Sequence, residues 1–413
     1  MKKKNLTKAE ITEKLLKKYE VNLEELNYDA LKQFKENVKA LSDSRQKGKV
    51  KYKIWDIIVV SFLAILANCN DWEEIREFAI SKKSWLRNFL LLTGGIPSTI
   101  TYKRVFSIIK PEELENICVL FAQDVLKLFS SERDIMNIDG KTDNGSKRRE
   151  NDTRDKVKAL NVLNVYSNHL GLCVASEQIN DKTNEIPTIP KLLDRIQVKG
   201  NIITWDALNT QKSNVEKVVK LKGDYVVPIK LNQENFYNDL VLYFNEKQLE
   251  IIRANGTGNA YFKNIEKSHA SIITYEYFQT EDISWYSDLK SWKGIKTFGI
   301  VKKTIEKYGQ KTTEFRYYIS SLFIDIETFS NAIRQHWSVE NKLHWHLDFT
   351  FKQDDNSTMD KNALFNLQIL KKLSLAFLND VKRIYNRSLR LIRFRLSLSF
   401  ETEILRFFNI LAH

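Results

Sequence analysis

The sequence predicts an α/β protein in which an all-helical N-terminal domain precedes a layered core and a β-rich insertion interrupts that core. Three observations predict this class. Apolar residues recur at helical spacing up to about residue 130. From residue 134 onwards, short β-prone runs alternate with helical ones, which is typical of mixed α/β layers. Residues 247–326 leave this alternation and contain further β-prone runs, which indicates the insertion.

The helical region is predicted in two parts. Residues 1–44 place charged and apolar side chains at helical spacing, as in a pair of exposed helices. Residues 45–130 follow as a compact helical domain, broken by a turn at 93–98. The most apolar stretch of that domain, 57–66, is too short to cross a bilayer, so it is predicted to be a buried helix.

The core is predicted in two blocks, 131–246 and 327–385. The first block begins with a strand at 134–141 and continues with two further strands at 157–167 and 171–179, joined by a tight turn. Helices are then predicted at 185–196, 213–222 and 234–244, and strands at 201–208 and 224–230. The second block contains helical segments at 327–345 and 364–385, and residues 386–413 are predicted to be a basic tail.

Charge and cysteine content limit the class of partner and the compartment. Lys and Arg exceed Asp and Glu by 65 to 52, a net charge of +13, which favours a polyanionic partner such as nucleic acid. A basic but otherwise ordinary soluble protein is the alternative. Three widely spaced cysteines argue against a disulfide framework or a zinc ribbon and fit a reducing cytoplasm. The basic N-terminus has no apolar run after it, so no signal peptide is expected.

Three acids are candidates for chemistry. Asp139 and Asp206 each follow an apolar strand, where α/β sheets gather ligands, although an Asp there is more often a turn former or a helix cap. Glu340 lies within a helix on a semi-apolar face and therefore needs a partner. A metal ion is one possibility. An ion pair with Lys342 or Arg334 is the other, but both lie at other angles around the helix.

Six segments, in order along the chain, resemble one group of bacterial insertion-sequence transposases that includes the H-repeat-associated proteins. The segment around the group's catalytic glutamate is similar to RQHWSVENKLHWHLDFTFKQD (334–354). The aspartate motifs are similar to IDGKT (138–142) and to NEIPTIPKLL (184–193) with GNIITWDALNTQ (200–211). GDYVVPIKLNQ (223–233) and GIPSTITYKRVF (95–106) are similar to the following strand and to the group's associated helical domain.

This resemblance implies a ribonuclease-H-like core with the catalytic and metal-binding set Asp139, Asp206 and Glu340. The first and fourth core strands would lie side by side and make the two aspartates neighbours. The implied cofactor is a pair of Mg²⁺ ions, for which Mn²⁺ can substitute, because hard divalent cations prefer carboxylate oxygens. The implied activity is cleavage at the ends of an insertion sequence and strand transfer into target DNA, carried out by a homodimer on DNA.

Several residues are expected to contact that DNA. Arg45, Lys47, Lys49, Lys51 and Lys53 alternate without an acid, so an extended chain would present them on one side to phosphates; a solvated linker is an equal alternative. The other residues expected to contact DNA lie in the charged loop that follows Asp139 and in the helix that carries Glu340. These residues are Lys147, Arg148, Arg149, Arg334, His336, Trp337 and Asn341.

Other sites and functions are weighed against this hypothesis. His336, His344 and His346 do not have zinc-binding spacing, so packing or DNA contact is the better interpretation of these histidines. The turn NGTGNA (255–260) lacks the GK[ST] ending of a phosphate-binding loop, so no nucleotide cofactor is expected. A catalytically decayed DNA-binding protein and a structure-selective nuclease that never joins strands remain the alternative functions.

Overall fold

The structure is a computed structural model that describes residues 28–126, 133–146, 148–149, 156–157, 159–179, 185–268 and 271–412. The helices predicted for residues 1–27 lie outside the described residues. No helix in the described part of the chain combines the length and the apolar character needed to cross a membrane.

Six helices form the described part of the N-terminal region, residues 28–126, and they have one apolar core. They are α1 (Asp29–Val38), α2 (Ile54–Leu66), α3 (Trp72–Ser81), α4 (Lys83–Leu86), α5 (Thr99–Ile108) and α6 (Pro111–Leu126). Helix α2 is apolar on nearly every face, and almost all of its residues are buried, as predicted. Helix α1 packs into the same core, so residues 29–38 are part of this helical body.

The predicted turn at 93–98 is fixed by a glycine and a cap. A Cβ at Gly94 would lie 2.3 Å from the carbonyl oxygen of Lys51, so the two backbone segments approach too closely for any other residue. Ser98 caps α5, because its Oγ accepts a hydrogen bond from the backbone N–H of Thr101 at 3.3 Å.

A nine-stranded mixed sheet forms the centre of the molecule. Its strands are β1 (Ile135–Asp143), β4 (Leu160–Ser167), β5 (Leu172–Ile179), β6 (Ile202–Trp205), β7 (Asp224–Ile229), β8 (Asn259–Ser268), β9 (Ser271–Thr280), β10 (Thr297–Lys307) and β11 (Gln310–Ser320). Their spatial order is β5-β4-β1-β6-β7-β11-β10-β9-β8. The pairs β1–β6 and β6–β7 are parallel, and the others are antiparallel. Two short strands, β2 (Arg148–Arg149) and β3 (Lys156–Val157), pair separately.

The β-rich residues 247–326 extend the core sheet. They begin in helix α10 (Glu246–Arg253) and then supply strands β8 to β11. Strand β11 pairs with β7 from Tyr317 opposite Ile229 to Ser320 opposite Val226. Tyr286 and Trp292 are buried, and Tyr286 stacks on Phe236, so they are core residues.

Helices cover both faces of the central strands. On one face, α7 (Glu185–Asp194), α8 (Lys212–Lys220) and α9 (Glu234–Tyr243) pack against Ile138, Ile203 and Trp205. On the other face, α11 (Ile326–Val339) packs its Phe329 and Ile333 against Ile135 and Ile202. Since side chains alternate between faces along a strand, every second residue of β1 and β6 faces α11.

The C-terminal residues fold as helices, where the sequence analysis predicted a basic tail. Helices α12 (Lys361–Tyr385), α13 (Leu389–Leu398) and α14 (Phe400–Ala412) pack apolar side chains into the core of the N-terminal helices. Arg393, one of the predicted tail cations, is 1% exposed and donates hydrogen bonds to the backbone carbonyls of Ile65 and Thr350. The physical reason is that Phe400, Ile404 and Phe408 recur at four-residue spacing and make α14 amphipathic.

Candidate metal centre

Two neighbouring strands bring Asp139 and Asp206 to the same face of the sheet. In the parallel pair β1–β6, Ile138 lies opposite Trp205, so the next residue on each chain is an aspartate. Trp205 is buried on the α7–α8 face and donates a hydrogen bond to Thr210 at 3.2 Å. Because alternate residues face opposite sides, Asp139 faces α11. Asp139 lies within β1, not at its end as the sequence suggested.

Hydrogen bonds between strands and helix hold α11 across these strands. Asn137 of β1 donates from Nδ2 to the carbonyl of Gln335 at 2.6 Å and accepts a hydrogen bond from Thr204 at 2.9 Å. Thr204 Oγ1 also lies 3.0 Å from Nδ1 of His336. His336 therefore packs against the sheet, and burial lowers its pKa to about 4. This position gives no support to the predicted contact of His336 with DNA.

The helix changes character at the glutamate. The sequence predicted one α-helix over 327–345, but α11 ends at Val339 and is followed by π-helical turns at Glu340–His344 and His346–Thr350. In a π-helical turn, residue i is bonded to residue i+5. Such turns occur mostly as single-turn bulges inside α-helices and are frequent at functional sites. Leu343 and Leu347 are buried in the helical core, while Glu340 is directed to the face of the strand that carries Asp139.

Asp139, Glu340 and His344 converge. One ligand atom from each lies within 4.8 Å of the other two. Nδ1 of His344 is 3.4 Å from Oδ2 of Asp139 and 3.6 Å from Oε2 of Glu340. The alternative ion pairs for Glu340 do not form, because Arg334 pairs with Glu266 and Lys342 donates to Asn168.

The two carboxylates of this cluster have opposite pKa shifts. The pKa of Asp139 is raised to about 6, chiefly by burial; His344 lowers it, and the nearby charges of Glu340 and Asp206 add to the rise. The adjacent imidazole of His344, with Nδ1 3.6 Å from Oε2, lowers the pKa of Glu340. A buried carboxylate among like charges has too little compensating positive charge, which favours binding of a cation.

Asp206 is near Asp139 but lies outside the three-residue cluster. Its Oδ1 accepts hydrogen bonds from the backbone N–H of Asn209 at 3.2 Å and from Nδ2 of Asn209 at 2.7 Å. The same Nδ2 donates to Oε2 of Glu185 at 2.9 Å. Glu185 also lies against Gly140, where a Cβ would be 2.7 Å from Oε1. Asn209 and Glu185 therefore fix the carboxylate of Asp206 beside β1.

The donors fit a divalent cation. Carboxylate oxygens from β1 and from the π-helical turn suit Mg²⁺ or Mn²⁺, with the carboxylate of Asp206 on the adjacent strand. Lys141, two residues beyond Asp139, donates to Asp348 at 2.6 Å and so ties the strand to the π-helical segment. The elements that carry the donors are thus linked to one another.

A groove of about 530 Å³ opens beside Glu340, between α11 and strands β8 to β11. It is lined by aromatic and basic side chains. Trp337 is half exposed in it, and the guanidinium of Arg316 lies 4.0 Å from the centre of the indole ring. The lining includes Tyr275, Tyr277, Lys303, Arg316, Arg334, Trp337 and Asn341.

The other residues predicted to contact DNA are distributed more widely. Lys47 and Lys49 begin and end a short 3₁₀ helix, and Arg45 pairs with Asp43, so 45–53 is not the extended row of five cations that was one of the two alternatives for this segment. Lys47, Lys49 and Lys51 are exposed. Lys147 lies outside the described residues, and only the backbone of Arg148 and Arg149 is described.

Sequence analysis missed three residues of the site. His344 was interpreted as a packing or DNA-contacting residue, although it lies four residues after Glu340 and so on the same helical face. Asn209 follows Asp206 by three residues, the spacing at which an aspartate side chain accepts a hydrogen bond from a backbone N–H and caps the turn. For Glu185, the only available signal was its position in the NEIPTIPKLL motif.

Comparison with known proteins gives two family matches that together cover most of the chain. Residues 35–122 match the family described as DDE_Tnp_1-associated, and residues 130–377 match the family described as Transposase DDE domain.

Named relatives agree with these matches. The putative transposase YncI of Escherichia coli O157:H7 is 32% identical over 351 residues, which are 84% of this chain and 87% of the relative. The H repeat-associated putative transposase YhhI of Escherichia coli strain K12 is 30% identical over 365 residues, 87% of this chain and 93% of the relative. Among solved structures, a cryo-EM structure of the piggyBac transposase synaptic complex with hairpin DNA covers 96% of this chain and 81% of its own, at 11% identity and a TM-score of 0.34.

Proposed function

We propose that this chain, which belongs to the DDE transposase family and to its H-repeat-associated group, cuts DNA at the ends of an insertion sequence and joins those ends to target DNA. One observation carries the proposal. Asp139 from the central strand and Glu340 from the late helix, 201 positions apart in the chain, converge on one point beside the strand that leads to Asp206.

We infer a ribonuclease-H-like core from the sheet. The central strand order is β5-β4-β1-β6-β7, so the first and fourth core strands, β1 and β6, lie side by side, which is the arrangement that the sequence resemblance implied. The order makes Asp139 and Asp206 neighbours, and α11 crosses their face to bring in Glu340. The four strands β8 to β11 are then an extension of that core, inserted before the glutamate helix.

In this proposal Asp139, Asp206 and Glu340 hold two Mg²⁺ ions, for which Mn²⁺ can substitute. When bound, the ions neutralise charge on the scissile phosphate and activate the attacking hydroxyl. Asn209 keeps the carboxylate of Asp206 oriented, and burial keeps that of Asp139 in place. The same site then serves cutting by water and joining by the freed 3′-hydroxyl, because both reactions replace one oxygen on phosphorus by another.

DNA is the partner that best fits the surface next to this site. Trp337 and the partly exposed Tyr275 offer ring faces to bases, and Lys303 offers charge to phosphates, together with Arg316, which also pairs with Glu314. A net charge of +13 acts in the same direction. Lys47, Lys49 and Lys51 are proposed to contact phosphates at a distance from the cut. A homodimer would hold two element ends together for joining.

Cleavage of labelled DNA tests the proposal. The substrate is a duplex made from the DNA that flanks the reading frame, incubated with the full-length chain and Mg²⁺. We expect wild type to nick it and to join the cut end to a second duplex, whereas Asp139→Asn and Glu340→Gln bind it without cutting. Glu327→Gln, an exposed glutamate at the start of α11, is the matched control and should keep activity.

Each alternative function has its own outcome in that experiment. Cutting without joining would identify a nuclease. Binding without cutting by the wild type would identify a decayed transposase-derived DNA-binding protein. Equal cutting by wild type, Asp139→Asn and Glu340→Gln would remove the proposed site altogether.

A further inference from the structure

We propose that His344 supplies a nitrogen ligand to the divalent ion held between Asp139 and Glu340, so that this position binds Mn²⁺ in preference to Mg²⁺. This inference rests on the proposed function, because it concerns one ion of the same centre. It adds a fourth residue to the three acids and a donor of a different chemical kind.

Geometry is the first support. Nδ1 of His344 lies 3.4 Å from the Asp139 carboxylate and 3.6 Å from that of Glu340. These separations are longer than an ordinary N–H···O hydrogen bond, for which about 2.9 Å is typical. Adjacent ligands of an octahedral ion with bonds of about 2.1 Å lie roughly 3 Å apart, so a small inward movement of the three groups would complete the site.

Burial is the second support. His344 is 5% exposed, and its Nε2 has no hydrogen-bond partner among the described residues. The unpaired Nε2 costs free energy whether or not an ion is bound, so it does not itself argue for coordination through Nδ1. The support is that the imidazole is already buried and fixed beside the two carboxylates, and a fixed ligand loses little freedom when an ion binds.

The other two histidines of the region provide a contrast. Nδ1 of His336 lies 3.0 Å from the Thr204 hydroxyl, and Nδ1 of His346 lies 3.0 Å from the Thr350 hydroxyl. Both are therefore engaged in local hydrogen bonds. Only His344 of these three directs a ring nitrogen at the two carboxylates.

The mobility of the partners also fits. The side chain of Glu340 is 67% exposed, so it can move towards an ion without repacking the core. The side chains of Asp139 and His344 are 19% and 6% exposed, so they are held in place by their surroundings. Two fixed donors and one adjustable donor can close around an ion that enters from the groove.

The expected selectivity follows from the donors. Mg²⁺ binds oxygen ligands and retains its waters, whereas imidazole nitrogen suits transition metals. An Asp–His–Glu set therefore raises affinity for Mn²⁺ more than for Mg²⁺. Removal of the imidazole should reduce Mn²⁺ affinity by about tenfold or more, with a smaller effect on Mg²⁺.

Pulsed electron paramagnetic resonance on Mn²⁺ bound to the full-length chain, without DNA, tests the inference. A directly bound imidazole nitrogen modulates the spin echo of Mn²⁺. We expect this ¹⁴N modulation in wild type and in His346→Gln, and its loss in His344→Gln together with weaker Mn²⁺ binding. The wild-type spectrum is decisive by itself, so the test stands even if a variant fails to fold.

Two results would overturn the inference, and they can be told apart. If wild type shows no nitrogen modulation while Asp139→Asn and Glu340→Gln weaken Mn²⁺ binding, His344 is no ligand but the proposed metal centre stands. If neither acid substitution changes Mn²⁺ binding, the metal centre of the proposed function fails and this inference fails with it.

Discussion

The proposed metal centre has a strand half and a helix half, and the two differ in burial. Asp139 belongs to the central strand of the sheet, is 19% exposed and has a raised pKa. Glu340 begins a π-helical turn, is 67% exposed and has a lowered pKa. Without a bound ion, the ionised carboxylate of Asp139 is destabilised by its burial among like charges, whereas the carboxylate of Glu340 remains solvated. We therefore expect Asp139 to bind the cation from a fixed position on the strand and the side chain of Glu340 to move towards the cation.

The largest expected effect treats the two halves alike. Asp139→Asn and Glu340→Gln should each reduce DNA cleavage by about 1,000-fold or more, because each removes a ligand from a centre whose members act as a unit. Rates of nicking under single-turnover conditions measure this. If one variant lost activity and the other kept it, the two halves would not serve one centre.

The second effect should separate the halves. With a pKa raised from 3.8 to about 6, ionised Asp139 destabilises the metal-free fold as pH rises through this range, by up to about 3 kcal/mol. Asp139→Asn should therefore raise the thermal midpoint at pH 8 and have little effect at pH 4. Glu340→Gln should give no such gain, since its folded pKa is lowered. Thermal unfolding in a chelator checks both, and equal gains would contradict the difference in burial between the two carboxylates.

A smaller effect concerns the support of the strand half. Asn209→Ala removes the hydrogen bond from Nδ2 to Asp206 and leaves only the one from the backbone N–H, so the carboxylate is held less firmly and cleavage should fall by about tenfold. The matched control is Gln211→Ala in the same turn, whose side chain donates to the carbonyl of Leu208. If both variants cleaved at the wild-type rate, Asp206 would need no support from Asn209.

The smallest effect concerns the groove beside the helix half. Trp337→Ala should weaken binding of single-stranded DNA ends by roughly 1 kcal/mol, the lower end of the range for stacking on an aromatic ring. Trp345→Ala is the control, since that exposed indole stacks on Phe349 outside the groove lining. Fluorescence anisotropy with labelled DNA compares the two. Equal losses would mean that the groove has no special role.

Local pattern was sufficient for most of the fold but not for long-range pairing. Helix α2 and strand β7 follow from apolar periodicity and composition. The pairing of β11 with β7 could not be predicted, because nothing in either segment specifies its neighbour in the sheet. At 386–413, the density of arginines obscured the amphipathic spacing of residues that pack into the core.

The site was predictable only in part. The convergence of Asp139 and Glu340 came from the resemblance of their motifs, since each acid alone has a commoner structural explanation. His344 was not predicted as a site residue because its spacing from the other histidines does not fit a zinc site. Its four-residue spacing from Glu340, which places both on one helical face, was the signal that indicated the site. The π-helical turns at Glu340 and His346 leave no signal in a sequence that otherwise has an α-helical pattern.

The most direct test of the central claim is a crystal structure of the full-length chain soaked in Mn²⁺, with anomalous diffraction data. The account predicts an anomalous peak about 2.2 Å from carboxylate oxygens of both Asp139 and Glu340. A well-ordered site with no peak between these two residues, or a peak bound by only one of them, would contradict it.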